Sequence, residues 1–178
     1  VDFNTRLKRL AIESGRPVTL GIFSVVQEPG LWKKLLEMVE ETNAQGGKMV
    51  AQVHSNTMYE YHTLRTDLPY ESLEPWQALR KLSPKEQKTQ LFDPDVCRRL
   101  CESARGMSVP PDYEKLKVVE RFQGPDVSVA DLVRETGRDA PNVIVDHLSS
   151  ASTDAFFRTP FANEADDDIL GLIQHPNS

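Results

Sequence analysis

An α/β fold is predicted by three observations within residues 17–56. An apolar run, Pro17-Val-Thr-Leu-Gly-Ile-Phe-Ser-Val-Val26, leads to a turn at Pro29-Gly30. An amphipathic helix follows, with Leu31, Trp32, Leu35, Leu36, Met38, Val39 and Thr42 on one stripe and Lys33, Lys34, Glu37, Glu40 and Glu41 facing away. A Gly46-Gly47 stop then precedes a second apolar run, Lys48-Met-Val-Ala-Gln-Val-His54. Two short strands joined by a crossover helix pair in parallel, because antiparallel neighbours could be joined by a tight hairpin without the crossover. The unit is βαβ.

The flanking elements follow in order. Leu7, Leu10 and Ala11 recur at helical spacing over residues 4–14, and Gly15-Arg16-Pro17 ends that helix before the first strand. From Asn56 to Leu82 the periodicity gives way to an aromatic, Pro-rich stretch, read as a long lid or binding loop. Ser83-Pro84-Lys85-Glu86 supplies a capping box, and Asp93-Pro94 restarts a helix with Val96, Leu100 and Ala104 inward and Gly106 as its stop. After the Pro110-Pro111 break, Leu116 to Phe122 alternates as a third strand. Beyond Gly124-Pro125, helices are predicted from Ser128 to Gly137 and from Pro141. A last helix is capped by Asn163-Glu-Ala-Asp166, with Asp166, Asp167 and Asp168 in its first turn, where the dipole favours them.

Length and composition bound the function. The 178 residues with 39% hydrophobic content suffice for one domain with a real core. A formal net charge of -6 and a pI near 5.3, without a basic cluster, argue against nucleic acid or an anionic membrane as partner. No apolar run approaches the roughly 20 residues that span a bilayer, and a cytoplasmic protein is expected. Cys97 and Cys101, four apart in a helical stretch, form neither a CxxC motif nor a disulfide framework and are expected to be inert thiols.

No strong catalytic motif is present: there is no P-loop, GxGxxG, GxSxG, HExxH or paired CxxC. The best single candidate is His54, at the carboxyl end of the second strand, where barrel and open α/β folds place reactive groups. Position alone also fits a histidine hydrogen-bonded to a loop. His62 falls in the aromatic stretch, where it could approach a ligand but reads first as a surface histidine, His147 lies within a helix on a different face from Asp146, and His175-Pro176 follows the last helix.

The order of several segments carries a resemblance. Pro17-Val-Thr-Leu-Gly-Ile-Phe-Ser, Pro29-Gly30-Leu31-Trp32-Lys33-Lys34-Leu35-Leu36 and Gly47-Lys-Met-Val-Ala-Gln-Val-His54 resemble the middle of the N-acyl-D-amino-acid deacylases (D-aminoacylases) of the metal-dependent amidohydrolase superfamily. The likeness continues through Leu79-Arg-Lys-Leu-Ser-Pro-Lys-Glu, Leu91-Phe-Asp-Pro-Asp-Val and Phe156-Phe-Arg-Thr-Pro-Phe-Ala-Asn163 to Asp168-Ile-Leu-Gly-Leu-Ile-Gln-His-Pro176, nearly the whole chain. It implies a (β/α)8 TIM-type barrel whose strand-end histidines and aspartate hold zinc, with a metal-bound water attacking the N-acyl carbonyl of a small N-acyl amino acid.

On that resemblance His54 is the candidate zinc ligand, and Asn56, Tyr59 and Tyr61 are candidate substrate contacts. Where the family carries its preceding histidine, this sequence has Ile22 and Phe23, which cannot ligate a metal. Related sequences continue past the His-Pro pair into a strand with a catalytic aspartate, whereas this one ends at Ser178. A closed barrel of this type takes about 250 residues. The expectation is therefore a partial barrel segment: a βαβ segment at 1–56, an inserted helical lid at 57–112, and a barrel strand with following helices at 113–178, inactive by itself. The alternative is a non-catalytic interaction domain derived from a degenerate barrel, self-associating through its exposed sheet edges.

Overall fold

A computed structural model describes residues 2–120, 125–151 and 154–178. The chain runs α1 (Phe3–Ser14), β1 (Val18–Gly21), α2 (Leu31–Ala44), β2 (Met49–Gln52), β3 (Met58–His62), α3 (Glu74–Arg80), α4 (Pro84–Gln90), α5 (Pro94–Arg105), β4 (Lys117–Val119), β5 (Val127–Ser128), α6 (Val129–Thr136), α7 (Ala140–Ser150), β6 (Phe156–Ala162) and α8 (Asp166–Ile173). It divides into two units: residues 1–59 with 160–178, and residues 60–159.

In the first unit β1 and β2 pair in parallel, Val18 opposite Met49 through Gly21 opposite Gln52, with α2 as the crossover. The predicted βαβ unit is thus present, but its strands are four residues each, and β1 ends at Gly21 rather than running to Val26. Asp2 caps α1 by accepting the Thr5 amide, and Gly15 closes it at a positive φ of 63°. Trp32, Leu36 and Val39 of α2 pack with Ala11, Ile22, Met49, Ala51 and Leu172 into one apolar core.

The partial barrel is corrected by the sheet topology. The parallel sheet has two strands only, and no barrel is closed among the described residues. Burial alternates along β2, with Met49 and Ala51 inward and Val50 and Gln52 exposed. A barrel strand is covered on both faces; this ribbon is covered on one. The strand expected to continue the barrel, β4, instead pairs antiparallel with both β5 and β6. It belongs to a separate four-stranded sheet ordered β3-β6-β4-β5. Arg121, Phe122 and the Gly124 turn lie outside the described residues.

In the second unit the core gathers Tyr70, Trp76, Leu79, Leu100, Leu116, Val118, Ile144 and Phe157. Ser83 and Glu86 form the predicted capping box of α4, and Asp93, Ser128 and Asp139 cap α5, α6 and α7. The stretch expected to be a loop from Asn56 to Leu82 contains β3 and α3. Propensity missed both, because Met58-Tyr-Glu-Tyr-His62 is placed in a sheet by the distant β6 and α3 is short, with Pro75 in its first turn.

Close approach of α8 to α2 gives a sharp expectation for Gly171. A Cβ there would sit 2.8 Å from the Cη2 of Trp32, a rigid ring only 7% exposed. Alanine gains about 1 kcal/mol of helix propensity over glycine, but overpacking costs about 1–3 kcal/mol. Gly171→Ala is therefore expected to lower stability in urea unfolding by about 1 kcal/mol. Trp32→Phe in the same background should recover part of the overpacking cost.

Candidate functional site

The polar groups of the first unit converge at the carboxyl ends of β1 and β2. Past β1 the chain runs on through Ile22, whose amide donates to the Gln52 carbonyl at 3.0 Å, to Ser24, which is 8% exposed. Ser24 is held by Asn163, the residue after β6. The Asn163 amide donates to the Ser24 carbonyl at 2.8 Å, and its side-chain oxygen accepts the Ser24 amide at 2.9 Å. The Asn163 Nδ2 donates to the His54 carbonyl at 3.0 Å, fixing the backbone that presents the imidazole. Asn163 is fully buried with φ at 55°, the left-handed region that asparagine tolerates better than most side chains.

The Ser24 hydroxyl donates to the Asp168 carboxylate. Asn163 was expected to cap the last helix, but that helix starts later: Ala165 is its N-cap, with no side-chain cap bond. Asp166, Asp167 and Asp168 do occupy the first turn, where the helix dipole favours them. Phe23, next to Ser24 in the chain, and Phe161, two residues before Asn163, form an edge-to-face pair with centroids 6.2 Å apart, both partly exposed at 39% and 38%. Ile22, by contrast, is 1% exposed and belongs to the core.

His54 is exposed at this rim, and its Nδ1 lies 3.3 Å from the Asn56 carbonyl and 3.4 Å from the Asn56 amide. The Asn56 amide donates to Nδ1 in the tautomer protonated on Nε2, whereas in the other tautomer Nδ1 donates to the Asn56 carbonyl and Nε2 keeps its lone pair, with no partner among the described residues. Asn56 is thus brought to His54 through its backbone, and its own Nδ2 reaches Ser55 Oγ at 3.5 Å. Tyr59 is half-buried in β3 and closes the first unit, while Tyr61 is 40% exposed and belongs to the second.

Zinc needs a set of donors. The described residues hold no group of three His, Cys, Asp or Glu side chains that could bind a metal ion. His54 is a single donor, and the residues present do not fit the zinc centre that the resemblance implies.

The other histidines serve the packing. His62, expected on the surface, is buried in β3, with Nε2 2.8 Å from Thr159 Oγ1 and Nδ1 3.3 Å from Asp67. His147 lies edge-on to Phe157 at 5.0 Å, and burial holds its pKa below the usual imidazole value. His175 Nε2 meets Glu40 at 3.1 Å. Cys101 is buried, its thiol pushed up to about 11 chiefly by burial, and Cys97 is raised for the same first reason. Neither offers a thiolate near neutral pH.

Sequence reasoning missed Ser24, Asn163 and Asp168 as a cluster, since they come from three separated segments. The available signal was Asn163 itself, an asparagine directly after an apolar strand, where a left-handed turn residue belongs. Among the described residues no helix is long and apolar enough to cross a membrane. Comparison of the chain with family models, curated proteins and solved structures finds no match.

Proposed function

We propose that this chain serves the hydrolysis of the amide bond of N-acyl amino acids, D-amino acids among them. The observation that supports this reading is the His54 imidazole at the carboxyl end of a parallel strand, its Nδ1 held by the Asn56 backbone and its Nε2 open. The ordered segments from Pro17 to Pro176 that resemble the D-aminoacylases supply the substrate class. In this reading the tautomer that donates from Nδ1 to the Asn56 carbonyl is the reactive one, and its Nε2 takes the proton from a water as the water oxygen bonds to the acyl carbon. The proton passes to the amide nitrogen as the C–N bond breaks, leaving a carboxylic acid and a free amino acid. The Asn163 bond to the His54 carbonyl keeps the imidazole over the rim. The partly exposed Phe23 and Phe161 offer an apolar surface for the acyl chain.

Release of free amine from N-acetyl-D-leucine by the intact gene product is the direct test. His54→Ala is expected to lower kcat/KM by about 100-fold or more, the contribution of a positioned base. Because His54 is exposed, its circular dichroism should stay that of the unmodified protein. Turnover that survives His54→Ala, or no amine release from any N-acyl amino acid by the unmodified protein, would sink the reading.

A further inference from the structure

A second candidate site lies wholly within the unit of residues 60–159. A half-open cavity of about 500 Å³ is walled by α3, α4 and α5 and the turn between α3 and α4. This lies within the roughly 300–1,000 Å³ of small-molecule sites. Its floor is apolar and well packed: Leu79 is 3% exposed, Val96 9% and Leu100 1%. Its wall also carries three polar side chains, Glu74 from α3, Gln90 from α4 and Arg99 from α5.

The two charged side chains that line this cavity, Glu74 and Arg99, are exposed. Most arginines pair with a neighbouring carboxylate, as Arg80 does with Glu71, Arg105 with Asp139 and Arg134 with Glu114. Arg99 and Glu74 have no ion-pair or hydrogen-bond partner among the described residues, and they do not reach each other although they line one cavity. Gln90 likewise keeps both its amide donor and its acceptor unused there. One negative and one positive group, set apart over an apolar floor, complement a ligand with separated ammonium and carboxylate ends and an apolar body.

We propose that this cavity binds a short apolar peptide of dipeptide size, with its α-ammonium at Glu74, its carboxylate at Arg99 and its peptide link at Gln90. A free amino acid carries both charges on one carbon, whereas a dipeptide separates them by up to about 7 Å. Arg99 offers the fork that matches a carboxylate in bidentate fashion. The side chains of the peptide cover Leu79, Val96 and Leu100, which replaces water over apolar surface. This assignment stands on the cavity alone and is independent of the hydrolase reading.

Isothermal titration with Leu-Leu, N-acetyl-Leu-Leu, Leu-Leu-amide and Gly-Gly tests it. Leu-Leu is expected to bind, and blocking either end is expected to weaken it about tenfold, the worth of one charge-assisted hydrogen bond. Gly-Gly, which lacks the apolar body, should not bind measurably. Arg99→Ala should abolish the difference between Leu-Leu and its amide, and Glu74→Gln the difference between Leu-Leu and its acetyl form. His54→Ala should leave all of these affinities unchanged, which separates this site from the rim of β1 and β2. Absence of heat from Leu-Leu at about 10 mM, or equal binding of the free and end-blocked peptides, would overturn the proposal.

Discussion

Asn163→Ala is expected to destabilise the protein by about 3–4 kcal/mol, measured as a fall in the urea midpoint at unchanged slope. Two causes add. Removing the side chain leaves the buried Ser24 amide without its acceptor and the His54 carbonyl without its donor. An orphaned buried polar group costs about 1–3 kcal/mol. The backbone at φ 55° then has to be held by alanine, at about 1–2 kcal/mol. Asn163→Gly separates the causes, because glycine adopts that φ freely, so its loss should be smaller than that of alanine by about 1 kcal/mol. Asn163→Asp keeps an acceptor for Ser24 but turns a second oxygen toward the His54 carbonyl, so it should restore little. If alanine costs less than about 0.5 kcal/mol, Asn163 does not organise the rim, and the presentation of His54 rests on something else.

What could be read from the sequence divides along a physical line. Local chemistry was legible: the capping box at Ser83 and Glu86, the glycine ends at Gly15 and Gly137, and the crossover from β1 through α2 to β2 each depend on residues close together in the chain. Pairing over long separations was not. Tyr59 and Tyr61 read as loop residues because β3 exists only through its neighbour β6, almost 100 residues later. The barrel failed for a related reason. The apolar pattern from Leu116 to Phe122 fits a strand of either kind, and nothing in it states whether the partner runs parallel or antiparallel, as the antiparallel pairing of β4 with β6 shows. At the candidate site His54 was legible as a strand-end imidazole. The Ser24, Asn163 and Asp168 cluster was not, since three segments meet there only after the chain returns from residues 60–159.

In the other unit the largest expected loss is at Trp76, and the comparison of two substitutions says why. Trp76 is 2% exposed, its ring lies 4.7 Å from that of the fully buried Tyr70, and its Nε1 donates to the Leu100 carbonyl at 3.1 Å. Trp76→Ala removes the indole from the core and is expected to cost about 3–5 kcal/mol. Were the indole hydrogen bond the main contribution, Trp76→Phe would cost nearly as much. It should not, because the Leu100 carbonyl also accepts from Ser103 Oγ at 2.8 Å and is not orphaned when the indole leaves. Phenylalanine also keeps most of the apolar area, so its cost should be about 1–2 kcal/mol, chiefly unfilled volume and a weaker ring contact with Tyr70. Since the chain has two tryptophans, Trp32 in the first unit stays as a fluorescent reporter while circular dichroism follows overall unfolding. A Trp76→Phe loss as large as that of Trp76→Ala would mean that the hydrogen bond, and not the filled volume, holds α3 against α5.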